Sequence, residues 1–167
     1  MLETVPVAEI LTTSSSTLTP WEEARSRLED SQFYWLATVR PDGRPHVVPV
    51  LAVWLDGALH FVAGAGSRKA RNLDGNTQAT ITVDSDDLHL VVEGTASKVQ
   101  DTRQLLAIAE VYLDKYEWPV TIRDGAYYGQ GAPTAGPPPY EVYRLTPVVA
   151  FAFGSDESFT PTRWRFP

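Results

Sequence analysis

The stretch Phe33-Tyr-Trp-Leu-Ala-Thr-Val-Arg-Pro-Asp-Gly-Arg-Pro-His-Val-Val-Pro-Val50, continued to Asp56-Gly57, decides how this chain folds. Phe33 to Arg40 is rich in aromatic and β-branched residues, Pro41-Asp42-Gly43-Arg44 makes a compact turn, and His46 to Leu55 returns antiparallel. Asp56-Gly57 suits a two-residue hairpin turn, so Ala58 to Ala63 is the third strand of a meander. The middle strand is apolar on both sides, with Val48, Val50 and Ala52 on one and Val47, Leu51 and Val53 on the other. A barrel interior covers one side; the other requires a ligand or a second subunit, because an open apolar strand invites aggregation. Pro49 has no N–H to give a ladder, which predicts a bulge or an unpaired position there.

The meander delivers the chain into His60-Phe-Val-Ala-Gly-Ala-Gly-Ser-Arg-Lys-Ala-Arg-Asn-Leu73, where strand passes through a turn into helix. Gly64 and Gly66 are expected to take backbone conformations closed to other residues, and Ser67 is a suitable N-cap for a helix opening at Arg68. Arg68, Lys69 and Arg71 then put full positive charge beside the positive end of the helix dipole. An anion between them would resolve that conflict, since a helix that only meets solvent favours Asp or Glu in its first turn. A basic, solvent-facing helix is the other reading of the same residues. Neither a Walker A loop nor G-x-G-x-x-G is present.

Outward from this centre, residues 1–18 read as an N-terminal arm or an extended segment lying on a neighbour, and 19–167 as one domain. Thr19, Pro20 and Glu22 predict a capping box for a helix that buries Trp21, Ala24 and Leu28. Gln78 to Val83 and Leu88 to Val99 form a hairpin across Asp84-Ser85-Asp86-Asp87, a solvated turn rather than a calcium loop, with a bulge or bend expected at Gly94. Asp101 and Gln104 cap a helix whose Leu105, Ile108, Ala109 and Tyr112 make a core stripe. Glu117 to Pro139 is loop-like, and reads either as a lid over a ligand or as a structural wrap. Tyr140 to Phe153 resumes strand, interrupted at Pro147, and Thr162 to Phe166 is a last short strand or extended tail. The expected fold is mainly β: a six- to seven-stranded antiparallel Greek-key barrel with two or three flanking helices.

Composition removes several function classes. A net charge of -7 and a pI near 4.9 in 167 residues argue against a nucleic-acid partner. No cysteine is present, so disulfides, thiolate nucleophiles and iron–sulfur clusters are excluded. Neither a signal-like leader nor a membrane-length apolar run is seen, and the expected location is the cytoplasm, away from membranes. His46, His60 and His89 stand apart without a metal-ligand spacing and read as cross-strand or surface histidines. With no nucleophile elbow and no metal set, no catalytic side chain is identified, and any reactivity belongs to a bound cofactor.

Together, Phe33 to Val50, Phe61 to Leu73 and Val92-Glu-Gly94 resemble the pyridoxamine 5'-phosphate oxidase-like split-barrel family, over roughly Thr19 to Phe166. The resemblance implies a homodimer that binds FMN, or the deazaflavin F420, at the subunit interface. It implies that Val48, Pro49 and Val50 line the ring system, that Phe61, Val62 and Ala63 run beside it, and that Ser67, Arg68 and Lys69 hold the phosphate. The ending Thr162-Arg-Trp-Arg-Phe166 resembles the deazaflavin-associated branch, which brings Trp164 and Arg165 to the cofactor site; a plug for the barrel end is the alternative for the tail. The long basic C-terminal substrate motif of true pyridoxamine-phosphate oxidases is missing, so that substrate is not implied. The expected function is a flavin- or deazaflavin-dependent oxidoreductase passing hydride between FMN or F420 and a small planar substrate. The alternatives are a cofactor-binding or sequestering protein without turnover, and an apolar-ligand barrel whose basic helix is only surface.

Overall fold

The computed structural model describes residues 4–11, 17–130, 136–157 and 159–167. In chain order the elements are β1 (Val7–Ile10), α1 (Trp21–Asp30), β2 (Tyr34–Val39), β3 (Pro45–Val50), β4 (Ala52–Leu55), β5 (Ala58–Gly64), α2 (Arg68–Gly75), β6 (Gln78–Asp84), β7 (Leu88–Lys98), α3 (Thr102–Tyr116), β8 (Thr121–Arg123), β9 (Ala126–Tyr128), β10 (Tyr140–Gly154) and β11 (Thr162–Arg165). The fold is the mainly antiparallel β structure of a split barrel, with its main path ordered β1-β11-β10-β7-β6-β2-β3. The strand count exceeds the expected six or seven, reaching eleven among the described residues.

Much of the excess comes from the stretch expected as one middle strand. It divides at Leu51: β3 pairs with β2, and β4 leaves to pair with β5 across the Asp56-Gly57 turn, where both residues have positive φ as that hairpin requires. Changing partners strands backbone polar groups, and α3 takes them up. The Tyr112 hydroxyl lies 3.0 Å from the Leu51 carbonyl and 3.1 Å from that of His60, while the Tyr116 hydroxyl donates to the Ala52 carbonyl at 2.8 Å. Lys115 adds bonds to the Glu29 and Ala52 carbonyls and to the Tyr34 hydroxyl. The division also sets burial, for β4 and β5 are enclosed on both faces while β3 is an edge strand with Val47 and Pro49 exposed.

The core has two parts, one on each side of β5. The larger lies inside the barrel and includes Trp21, Leu36, Phe61, Ile81, Leu145 and Trp164. A smaller one, between sheet and α3, includes Val53, Val62, Leu105, Ile108, Tyr112, Trp118 and Tyr127. Trp118 and Tyr127 come from the segment expected to be loop; Thr121–Arg123 and Ala126–Tyr128 form a hairpin there, and β9 pairs onto β10. Its described part is therefore a structural wrap, held by aromatic burial, while residues 131–135 lie outside the description.

Local expectations fare unevenly. Asp101 caps α3 by accepting from the Gln104 N–H at 2.9 Å, and α1 buries Trp21, Ala24 and Leu28. The Thr19 capping box does not form: Pro20 occupies the N-cap position, and the Thr19 backbone N–H instead donates to the Thr162 hydroxyl oxygen, 3.2 Å away. Pro49 causes no bulge, because the β2–β3 register runs through it opposite Trp35, and an edge strand has only one ladder to interrupt. The irregularity expected at Gly94 lies in its partner, where the β10 register shifts between Pro147 and Val149. Gly94 permits it, since a Cβ there would stand 2.1 Å from the Thr146 carbonyl oxygen. Within the N-terminal arm, residues 7–10 are the strand β1, antiparallel to β11 of the same chain.

Candidate anion-binding site

β5 runs through the sheet interior and delivers the chain to α2, whose first turn carries the cations. Ser67 caps the helix as expected, its hydroxyl oxygen accepting from the Ala70 N–H at 3.3 Å. The N–H groups of Arg68 and Lys69 have no partner within the helix, and no acidic residue occupies the first turn. Gly64 and Gly66 are absent from the positive-φ glycines, so their expected conformational role is corrected. Gly66 contributes space instead: a Cβ there would touch nothing within 4 Å, which leaves the helix start approachable.

Lys69 is the anomalous residue. It is only 6% exposed, and no carboxylate pairs with it among the described residues. Burial alone holds its ammonium below the ordinary lysine range. Arg68 and Arg71 are exposed on the same helix. His46, on β3, feels the charges of Arg40, Lys69 and Arg68, and burial followed by those cations lowers its affinity for a proton. Its Nδ1 is buried without a hydrogen-bond partner. Thr38, opposite His46 in the β2–β3 register, accepts a 3.0 Å hydrogen bond from Asn72 Nδ2 on α2, and Asn72 Oδ1 is also buried and unpartnered. Buried cationic charge, free helix N–H groups and an open approach are the donor set that holds a phosphate.

The residues assigned to the site by resemblance fall into three groups. Ser67, Arg68 and Lys69 stand together at the helix start. Val48 is half-buried and Pro49 exposed, so both offer surface, whereas Val50, Phe61, Val62 and Ala63 are enclosed by the chain itself. Phe61 stacks on Tyr143 with ring centroids 5.3 Å apart. Trp164 and Arg165 stand elsewhere in character: Trp164 is fully buried in the barrel core, edge-on to Trp21 at 5.4 Å, and Arg165 contacts Glu9 of β1 at 3.3 Å. Thr38, His46 and Asn72 were not singled out from the sequence for this site. Their one signal is placement: Thr38 and His46 interrupt the inward-facing apolar rows of β2 and β3, and Asn72 follows Lys69 by nearly one helical turn.

The sequence profile of the pyridoxamine 5'-phosphate oxidase family matches residues 20–152. The chain belongs to that family. Among solved structures, a conserved hypothetical protein from Mycobacterium tuberculosis superposes with a TM-score of 0.67 at 19% identity, covering 86% of this chain and 89% of that one. A heme binding protein from Mycobacterium smegmatis gives a TM-score of 0.64 at 17% identity, covering 87% of this chain; this chain spans 59% of that protein's length. An F420 reductase gives a TM-score of 0.55 at 25% identity, covering 75% of this chain and 94% of that one. No curated protein matches the chain by sequence. Among the described residues no helix is long and apolar enough to cross a membrane, and no group of three or more His, Asp or Glu could hold a metal ion.

Proposed function

We propose that this protein binds FMN or F420 by its phosphate and acts as an oxidoreductase, passing hydride between that cofactor and a small planar substrate. The observation that carries the reading is the buried Lys69, without a counter-ion among the described residues, at the capped and open start of α2. Membership of a family named for a phosphorylated substrate, and likeness to an F420 reductase, support it. The cofactor would supply the hydride chemistry. The chain's own part is to hold and orient: Ser67, Arg68 and Lys69 grip the phosphate, Val48 and Pro49 offer apolar surface to the ring, and Val50, Phe61, Val62 and Ala63 form the packed wall behind.

A second copy of the chain completes the site. Phe33, Trp35, Val47 and Pro49 are exposed on or beside the β2–β3 pair, where Trp35 stands opposite Pro49, and Phe33 is 76% exposed. An apolar face of this kind beside a ligand edge suits a symmetric interface.

Titration of the protein with FMN, F420 and heme tests the reading, heme being included because the names of two structural neighbours refer to it. Saturable binding of FMN or F420, weakened in Lys69→Ala, is expected. Cofactor binding without reduction or oxidation of any small planar acceptor supports a carrier or sequestering role instead. Heme binding alone overturns the proposal, and a monomer by light scattering with cofactor present overturns the dimer.

A further inference from the structure

Two buried polar atoms without partners flank a single threonine beside the cationic helix. Thr38 and His46 face one another across the β2–β3 ladder, where opposed side chains stand about 5 Å apart. Asn72 reaches the same Thr38 hydroxyl from α2, on the face it shares with the buried Lys69. Of the three side chains, Thr38 is partnered, while Asn72 Oδ1 and His46 Nδ1 are not; Asn72 is 2% exposed. Native proteins seldom leave such atoms buried and unpartnered unless something else completes them. An Nδ1–H turned toward Asn72 Oδ1 would satisfy both, and would leave the imidazole's Nε2 for whatever the cations attract.

We propose that His46, oriented by Asn72 and Thr38, is a proton-taking ligand of the anion held at α2: it gains a proton from solvent as a phosphate binds and returns it as the phosphate leaves. This rests on the phosphate reading of that helix. The charged groups facing His46 are Arg40 beyond the end of β2, and Arg68 and Lys69 from α2; the nearby Asp42 is engaged by Arg44 in the turn. Burial, followed by those cations, lowers the imidazole's affinity for a proton in the ligand-free protein. A bound phosphate anion offsets those cations and raises the imidazole's affinity for a proton, so His46 becomes a further donor when the ligand is present.

The test is an NMR titration of the His46 ring, assigned by its disappearance in His46→Gln, for the free protein and with inorganic phosphate, FMN or F420 added. A tenfold or greater rise in His46 proton affinity is expected with whichever of these anions binds. Calorimetry in two buffers of different ionisation enthalpy should find more proton uptake in the wild type than in His46→Gln, by up to one proton; the difference cancels the phosphate's own titration. Asn72→Leu should move the ring nitrogen shifts away from the Nδ1–H tautomer. Binding that leaves His46 unmoved overturns this proposal while leaving the cofactor reading intact. A response to inorganic phosphate in a protein that binds neither cofactor keeps it and overturns the cofactor reading. Failure of all three anions to bind overturns both.

Discussion

Two clusters of cationic side chains sit on this acidic protein, and they have opposite surroundings. Arg163 and Arg165, on β11, both reach the Glu9 carboxylate of β1, with Arg163 Nε at 2.8 Å. The hydrogen bond from Arg163 leads the causes that hold the Glu9 carboxyl below its ordinary range. Lys69 and Arg68, at the start of α2, have no carboxylate partner among the described residues, and together with Arg40 they make the His46 imidazole harder to protonate. The first cluster is complete within the chain and reads as strand-to-strand fastening. The second lacks such a partner among the described residues, and the proposed anion is what would complete it. Positive charge by itself therefore says little about function here; the missing partner says more.

The largest expected effect tests whether the C-terminal strand is structural. Trp164→Ala removes a fully buried indole packed edge-on to Trp21, and should cost about 3–5 kcal/mol of stability, seen as a lower melting temperature without any cofactor. A variant that melts normally but loses cofactor affinity would move the tail from the core to the site.

Next in size, replacing Arg68 and Lys69 together by Ala should weaken binding of FMN or F420 by about 3 kcal/mol, the scale of lost charge-assisted hydrogen bonds. The melting temperature of the free protein should hold or rise, because a buried charge without a partner is removed. Unchanged affinity for both cofactors would erase the contrast between the two clusters.

Lys115 sharpens the same contrast, being a half-buried cation whose hydrogen bonds go to neutral acceptors. Burial lowers its pKa from 10.5 to about 8, against the opposing pull of Asp30 and Glu29. Between those values the unfolded chain holds a proton that the folded chain has released, so this residue's contribution to stability rises with pH from about 8 toward 10.5. Denaturant titrations across the lower half of that window should show the rise in the wild type and lose it in Lys115→Met.

The smallest change is expected at Glu9. Glu9→Gln leaves the β1–β11 ladder in place and removes only a solvent-screened pairing, so thermal melts should be nearly superimposable and cofactor titrations unaltered. A clear loss of affinity would place the β11 arginines in the binding function after all.

What the sequence determined by itself was the local grammar. The Asp56-Gly57 hairpin, the Ser67 and Asp101 caps, the buried stripe of α1 and the basic start of α2 are each set by residues within a few positions of one another, and short-range sterics and hydrogen bonding decide them. The family resemblance was legible for the same reason, because it is carried by one continuous meander and the turn that follows. The tertiary structure alone decided which chemically similar residues have partners. The division of His46 to Leu55 depends on tyrosines of α3 more than fifty residues away, and the quieting of Arg163 and Arg165 depends on a carboxylate at the other end of the chain. The exposure of Lys69's surroundings, the bulge opposite Gly94 and the meeting of Thr38, His46 and Asn72 likewise follow from register and packing between separate elements. Burial and counter-charge are properties of neighbours in space, and a linear pattern of residues does not contain them.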